Sequence, residues 1–253
     1  MTQPVCTGTA NQCQHGHWHG GVVDQHAAGE IRRHRRGSRP GQAHRSALMK
    51  RPNDKTLHSK SVGEMMKSPD TRLLQPGILL DRDGTIIVDY GYVGSIDRVE
   101  FIDGAPEAIA RFNRAAIPVA VVTNQAGVAR GKYGIEDVIQ VHHYIADRLA
   151  EYGAHIDLFL FSPYHPAGVV EAFARTSEDR KPRPGMARAA ADALGLDLSA
   201  SWVVGDRPED LGLADAIGAP AVYLGPDECQ RPGVWPFPSL AAAASFIVDQ
   251  ITA

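Results

Sequence analysis

An α/β fold, a doubly wound parallel sheet with no large cap domain, is what the sequence predicts for residues 76–253. Three observations carry it. Short apolar runs alternate with helical stretches, and polar residues come directly after several of those runs. Only thirty-seven residues, 86–122, separate the first polar motif from the second, too few to hold a helix, a strand and an inserted domain of about 50 residues.

The strand candidates are Ile78-Leu79-Leu80, Val119 to Val122, Ile156 to Phe161, Trp202-Val203-Val204 and Ala221 to Leu224. Each is a four- to six-residue run or shorter, rich in β-branched or bulky apolar residues, as a strand buried on one or both faces requires. Helices are predicted between them, at about 105–116 with Pro106 in the first turn, 135–152, 184–195 opened by Pro184, 208–218, and near 239–250 with Ser239 as cap. Strand alternating with helix implies right-handed crossovers and a sheet covered on both faces. Cys229 to Pro238, with Pro232, Pro236 and Pro238, reads as an irregular surface segment.

Residues 1–75 differ in kind. They carry twelve Lys and Arg against five Asp and Glu, whereas residues 76–253 carry fourteen against twenty-four. With no sustained apolar period, the segment is expected to be a disordered basic and His-rich tail. Arg32-Arg33-His34-Arg35-Arg36 has no interleaved aromatics and no binding fold around it, so a solvated tail is favoured and nucleic acid is not an expected partner. Cys13, His15, His17 and His19 alternate in a glycine-rich stretch that fixes no tetrahedral metal geometry.

Three cysteines, Cys6, Cys13 and Cys229, are too few and too scattered for a disulfide framework. No run approaches the roughly eighteen apolar residues of a membrane span, and no apolar secretory segment comes after the N-terminus. The expectation is a cytoplasmic, monomeric enzyme with a small-molecule substrate and no membrane partner.

In a doubly wound sheet, ligands bind beyond the carboxyl ends of the strands. The residues directly after each apolar run therefore matter. Asp81-Arg82-Asp83-Gly84-Thr85 comes after the first, Thr123-Asn124-Gln125 after the second and Gly205-Asp206 after the fourth. A carboxylate fixed at a strand end can attack phosphorus, and a second one two residues on can serve as general acid and then base. That makes Asp81 the expected nucleophile and Asp83 the proton donor and acceptor. Several anions beside a phosphate need a hard cation, and magnesium suits Asp81, the Asp83 backbone carbonyl and Asp206. Lys181, just before a helix in Arg180-Lys181-Pro182, supplies positive charge, and the Thr123 hydroxyl meets equatorial phosphoryl oxygens. Asp210 looks sufficiently explained as a helix cap, and His142 and His143 as packing or surface residues; His165 lies on a loop near the rim.

These residues, in this order, resemble the four motifs of the haloacid dehalogenase superfamily of phosphohydrolases. More narrowly, Asp81 to Ile86, Gly91-Tyr92-Val93, Thr123 to Gly131 and Arg180 to Met186 are similar to the family of D,D-heptose 1,7-bisphosphate phosphatases and histidinol-phosphatases. The similarity spans roughly residues 77–225. It implies a magnesium-dependent phosphatase of a small phosphorylated metabolite, with heptose 1,7-bisphosphate ahead of histidinol phosphate or another sugar phosphate. It further implies a substrate flap of Asp89, Tyr90, Gly91 and Tyr92, a phosphate pocket lined by Asn124, Gln125 and Ala126, and Arg180 reading the uncleaved part of the substrate. Arg207 stands where the family usually carries a lysine. Members of the family often clip the loop before Arg-Lys-Pro with a zinc ion; the matching positions here are Ser162, Tyr164, Ser177 and Asp179, a donor set that does not suit structural zinc, so none is expected.

Two other classes fit the motifs less well. A phosphorylated signalling receiver needs its acceptor aspartate on a later strand than its acidic cluster, whereas Asp81 and Asp83 fall together on the first. A non-catalytic phosphate-binding or scaffold module does not need a candidate residue at every motif. Within enzymes, a phosphotransferase using the same intermediate needs a cap to exclude water, for which residues 86–122 leave no room.

Overall fold

The computed structural model describes Val22–Val23, residues 74–225 and residues 231–253. Six strands form a parallel sheet: β2 (Ile78–Leu80), β3 (Val119–Asn124), β4 (Leu158–Ser162), β5 (Trp202–Gly205), β6 (Ala221–Leu224) and β7 (Val234–Phe237). A two-residue strand, β1 (Val22–Val23), adds antiparallel to the free edge of β4, giving the order β1-β4-β3-β2-β5-β6-β7. An antiparallel edge on an otherwise parallel sheet is common in doubly wound folds.

The helices are α1 (Ala105–Arg114), α2 (Ile135–Ala150), α3 (Gly185–Leu194), α4 (Pro208–Ile217) and α5 (Leu240–Thr252). Because strand side chains alternate, most of the buried residues divide into two clusters, one on each face of the sheet, with a smaller third of Val128, Val138 and Phe161. Ile78, Leu80, Val119, Val121, Phe159, Trp202 and Val204 pack with Ile109 and Phe112 of α1, Ile145 and Leu149 of α2 and Ile247 of α5. Leu79, Ala120, Val122, Leu158, Leu160 and Val203 face Met186 and Ala190 of α3 and Leu213 of α4. Burying a side chain such as Leu79 or Ile109 contributes about 1.5–3 kcal/mol each, so both faces hold the sheet firmly beneath its rim.

Two sequence expectations need correction. The 229–238 segment is not irregular throughout: Val234–Phe237 form β7, with Pro236 opposite Tyr223. The proline masked the strand, but among the described residues β7 is paired with β6 alone, and an edge strand tolerates a residue without a backbone N–H. Residues 1–75 are not wholly without strand, since Val22 pairs with Leu160 and Val23 with Phe159. The rest of the expected tail up to Leu73, including the Arg run and Cys13, His15, His17 and His19, lies outside the described residues. Among the described residues no helix is long and apolar enough to cross a membrane.

Candidate active site

The site lies past the carboxyl ends of β2, β3 and β5. β2 is central, flanked in register by β3 and β5, with Leu80 opposite both Val121 and Val204. The chain leaves it at Asp81, whose N–H donates to the Val204 carbonyl at 2.9 Å. Asp81 is thus fixed by the most buried strand of the sheet and is 6 % exposed. It opens on a cleft of about 280 Å³ lined also by Asp83, Asp89, Gly91, Tyr92, Thr123, Asn124, Gln125, Ala126, Arg180 and Lys181. Tyr133, Arg207, Glu209 and Asp210 complete the lining.

Lys181 is buried, and its ammonium lies between two carboxylates, 2.8 Å from Asp81 Oδ1 and 2.6 Å from Asp210 Oδ1. Burial alone would lower its pKa, but the two anions outweigh that and raise it, so the lysine stays charged. Its backbone is held as firmly. The Lys181 N–H donates to Asn124 Oδ1 at 3.0 Å and the Asn124 amide returns a bond to the Lys181 carbonyl at 3.2 Å. Asn124, expected only to line the phosphate pocket, therefore also ties the end of β3 to the lysine segment.

Asp210 is more than the helix cap the sequence suggested. Its Oδ2 does accept the Arg207 N–H at 3.0 Å in the first turn of α4, but the residue is 1 % exposed and its other oxygen binds Lys181. Gly205 makes this possible, because a Cβ there would come within 2.1 Å of Asp210 Oδ2. Gly84 plays the same part for Asp206: its φ is +85°, and a Cβ would meet Asp206 Oδ2 at 2.3 Å. Both glycines are set by close approach of a carboxylate.

One carboxylate oxygen from each of Asp81, Asp206 and Asp210 falls within 4.8 Å of the others. Burial, reinforced by the charges of Asp81 and Asp210, pushes the Asp206 carboxyl up to about 6. Asp206 Oδ1 is buried without a hydrogen-bond partner, and the buried Asp81 Oδ1 has the Lys181 ammonium, at 2.8 Å, as its neighbour. Hard anionic oxygens crowded this closely, that of Asp206 without a partner, fit a divalent cation such as Mg²⁺. Lys181 and the Arg207 N–H engage both oxygens of Asp210, whereas Lys181 engages only Oδ1 of Asp81 and neither touches Asp206, so Asp81 Oδ2 and Asp206 are the donors left for a cation.

Asp83 sits apart from this trio. Buried Arg82 forks onto its carboxylate, with Nη2 3.0 Å from both oxygens, and also donates to the Val93 carbonyl at 2.8 Å. Gln125 Nε2 donates to Asp83 Oδ2 at 2.8 Å and to Thr123 Oγ1 at 3.0 Å. Neither Arg82 nor Tyr133 stood out in the sequence. Arg82 was hidden inside its own motif, since a buried arginine between two catalytic candidates is not marked by periodicity.

The flap is tied down from several sides. Arg98 donates to the carbonyls of Tyr90 at 2.7 Å and Tyr92 at 3.3 Å, and Asp89 accepts the Gly91 N–H at 2.8 Å while pairing with Arg207. Arg207 thus ties the residue before α4 to the segment of Asp89 and Gly91. Tyr92 adopts φ +59°, with Lys132 Nζ 4.6 Å above its ring. Tyr90 does not line the cleft; its hydroxyl is turned to Glu100.

At the matched zinc positions the loop is held by other contacts. Tyr164 is buried, packs near Phe173 and accepts a hydrogen bond from Arg175 at 3.0 Å, and its carbonyl accepts from Arg180 at 3.3 Å. Ser177 Oγ accepts the Asp179 N–H at 3.1 Å. His165 contacts Arg130 at 3.2 Å outside the cleft, and His142 is fully buried, stacked on Phe159 at 4.8 Å.

D-glycero-beta-D-manno-heptose-1,7-bisphosphate 7-phosphatase of Yersinia pestis is 43% identical over 145 residues, 56% of this chain and 77% of that protein. The chain belongs to the haloacid dehalogenase-like phosphatases, in the heptose bisphosphate phosphatase family. The enzyme of the same description from Escherichia coli K12 is 43% identical over 141 residues, covering 56% and 74% of the two chains. A HAD-hydrolase-like family model matches residues 179–236. Among solved structures, D,D-heptose 1,7-bisphosphate phosphatase from B. bronchiseptica, complexed with magnesium and phosphate, superposes with a TM-score of 0.62 at 29% identity, covering 70% of this phosphatase and 99% of that chain. A HAD-like phosphatase from Mesorhizobium loti gives 0.65 at 35% identity over 70% and 86%.

Proposed function

We propose that this phosphatase removes the 7-phosphate of D-glycero-D-manno-heptose 1,7-bisphosphate by way of a phospho-aspartate on Asp81. The observation that carries the chemistry is the buried Lys181 ammonium, 2.8 Å from Asp81 and anchored on Asp210 at 2.6 Å, beside the free oxygen of Asp206. The substrate reading is supported by the heptose bisphosphate phosphatases to which the chain is similar.

An Asp81 carboxylate oxygen attacks phosphorus, and the bond from phosphorus to the sugar oxygen breaks. Asp83 gives its proton to that departing oxygen. It then takes a proton from water, whose oxygen attacks phosphorus, breaks the acyl-phosphate bond and frees inorganic phosphate with Asp81 restored. Lys181 and Thr123 meet the charge of the phosphoryl oxygens. A Mg²⁺ bound by Asp81, Asp206 and the Asp83 carbonyl would neutralise the phosphate and screen it from the carboxylates. Asp89, Gly91 and Tyr92 contact the sugar from the flap, Asn124, Gln125 and Ala126 border the phosphate, and Arg180 faces the part left uncleaved.

All these residues fall within 76–253, which we take as the catalytic unit. Incubation of the full-length protein with the bisphosphate and Mg²⁺ tests the reading. One equivalent of phosphate and the heptose 1-phosphate are expected; release of the anomeric phosphate, or none, would contradict it.

A further inference from the structure

Tyr133 lines the cleft, but its hydroxyl bonds to Gln125 and not to an acidic group. Its ring fills a slot between two glycines: a Cβ on Gly94 or on Gly127 would come within 2.2 Å of it. At the end of the slot its hydroxyl donates to Gln125 Oε1 at 2.8 Å. That bond orients the buried Gln125 amide. With Oε1 satisfied by the phenol, Nε2 faces Asp83 Oδ2 at 2.8 Å and Thr123 Oγ1 at 3.0 Å. A flipped amide would set one oxygen against the Asp83 carboxylate. Burial pushes the Tyr133 phenol up to about 12, so it keeps its proton and remains a donor.

Asp83 is therefore held from two directions, by Arg82 on one side and by the Tyr133–Gln125 chain on the other. We infer that Tyr133 is a positioning residue, which acts through Gln125 to hold Asp83 where it can protonate the leaving oxygen. The inference rests on the role proposed above for Asp83. A general acid contributes typically about 10²–10⁴-fold, and only while it stays within hydrogen-bond reach of the oxygen it protonates. Loosening it by one hydrogen bond should forfeit part of that factor.

Leaving-group dependence separates this role from a structural one. Phenolate needs a proton more than 4-nitrophenolate does, and kcat/KM covers the steps only up to the first irreversible bond cleavage, so hydrolysis of the acyl-phosphate does not enter. The experiment compares kcat/KM for phenyl phosphate and 4-nitrophenyl phosphate, with Mg²⁺, in the full-length protein and in Tyr133→Phe, Gln125→Met and Asp83→Asn. Tyr133→Phe keeps the ring in its slot. It should lower kcat/KM for phenyl phosphate about five- to ten-fold and for 4-nitrophenyl phosphate less than about two-fold. Gln125→Met should show the same bias, and Tyr133→Phe should add nothing in the Asp83→Asn background. If Asp83→Asn shows the bias and Tyr133→Phe lowers both substrates equally, or neither, the inference is overturned. If Asp83→Asn shows no bias, the role of Asp83 itself is wrong and the inference falls with it.

Discussion

Lys181 Nζ bridges Asp81 and Asp210, at 2.8 and 2.6 Å, so a single buried cation joins the residue after β2 to the first turn of α4. Removing it leaves two buried carboxylates facing each other across an uncompensated gap. Lys181→Met should therefore lose activity by at least about a thousand-fold and unfold about 3–5 kcal/mol more easily, the cost of breaking a buried pair on one side. Urea denaturation and a phosphate-release assay check the two parts. A variant as stable as the parent would show that the bridge contributes nothing to folding.

The raised Asp206 carboxyl makes stability depend on pH when no divalent cation is present. Its folded-state pKa, about 6, lies above the ordinary value of 3.8, so the folded protein holds the proton more tightly. Stability from this group is full below about pH 4 and is lost as pH rises through about 6. Asp206→Asn removes that loss. In a chelator it should be more stable than the parent at pH 7.5, by about 1 kcal/mol after discounting for solvent screening, with no difference near pH 4. Added Mg²⁺ should raise the melting temperature of the parent and not of the variant. Thermal melts at several pH values check this; a parent indifferent to Mg²⁺ would remove Asp206 from the cation site.

His142 reads as core. It is fully buried, neither ring nitrogen has a partner, and burial holds its pKa well below 6.5. A folded-state pKa below the unfolded one costs stability as pH falls through about 6.5. His142→Leu should leave kcat within about two-fold, match or exceed the parent in stability because an unsatisfied polar group costs about 1–3 kcal/mol, and flatten the decline below pH 6.5. A large loss of kcat in a stable variant would contradict the reading of His142 as a core residue.

The loop at Ser162, Tyr164, Ser177 and Asp179 should carry no zinc. Its order comes from Tyr164, packed near Phe173 and bonded to Arg175, with the Tyr164 carbonyl holding Arg180. Arg175→Ala should speed proteolysis of the loop and raise KM more than it lowers kcat, since Arg180, held by the same Tyr164, lines the cleft. Elemental analysis of chelator-free protein checks the metal. Near-stoichiometric zinc, lost on mutating Ser177 or Asp179, would contradict the account.

The strands and most of the site were legible because each polar motif sits immediately after an apolar run, and strand ends give little latitude about where a side chain goes. Asp81 and Thr123 come together in the cleft for that reason, whereas Lys181 reaches it from the loop just before α3. Sequence spacing could not show who binds whom. Asp210 looked like a cap because a carboxylate at the third position of a helix is sufficiently explained by capping, and only tertiary packing puts Lys181 against its other oxygen. Asn124 looked like a lining residue, but its pairing with the Lys181 backbone spans 57 positions. Tyr133 carried no local signal at all, because its slot is made by two glycines distant from each other in the chain.

The central claim is that Asp81 carries the phosphoryl group. Acid quenching of the full-length protein during turnover with Mg²⁺, followed by peptide mass spectrometry, tests it most directly. A phosphoryl adduct on Asp81 that hydroxylamine removes is expected, absent from a folded and inactive Asp81→Asn variant. An adduct on another residue, or turnover by Asp81→Asn within about ten-fold of the parent, would contradict it.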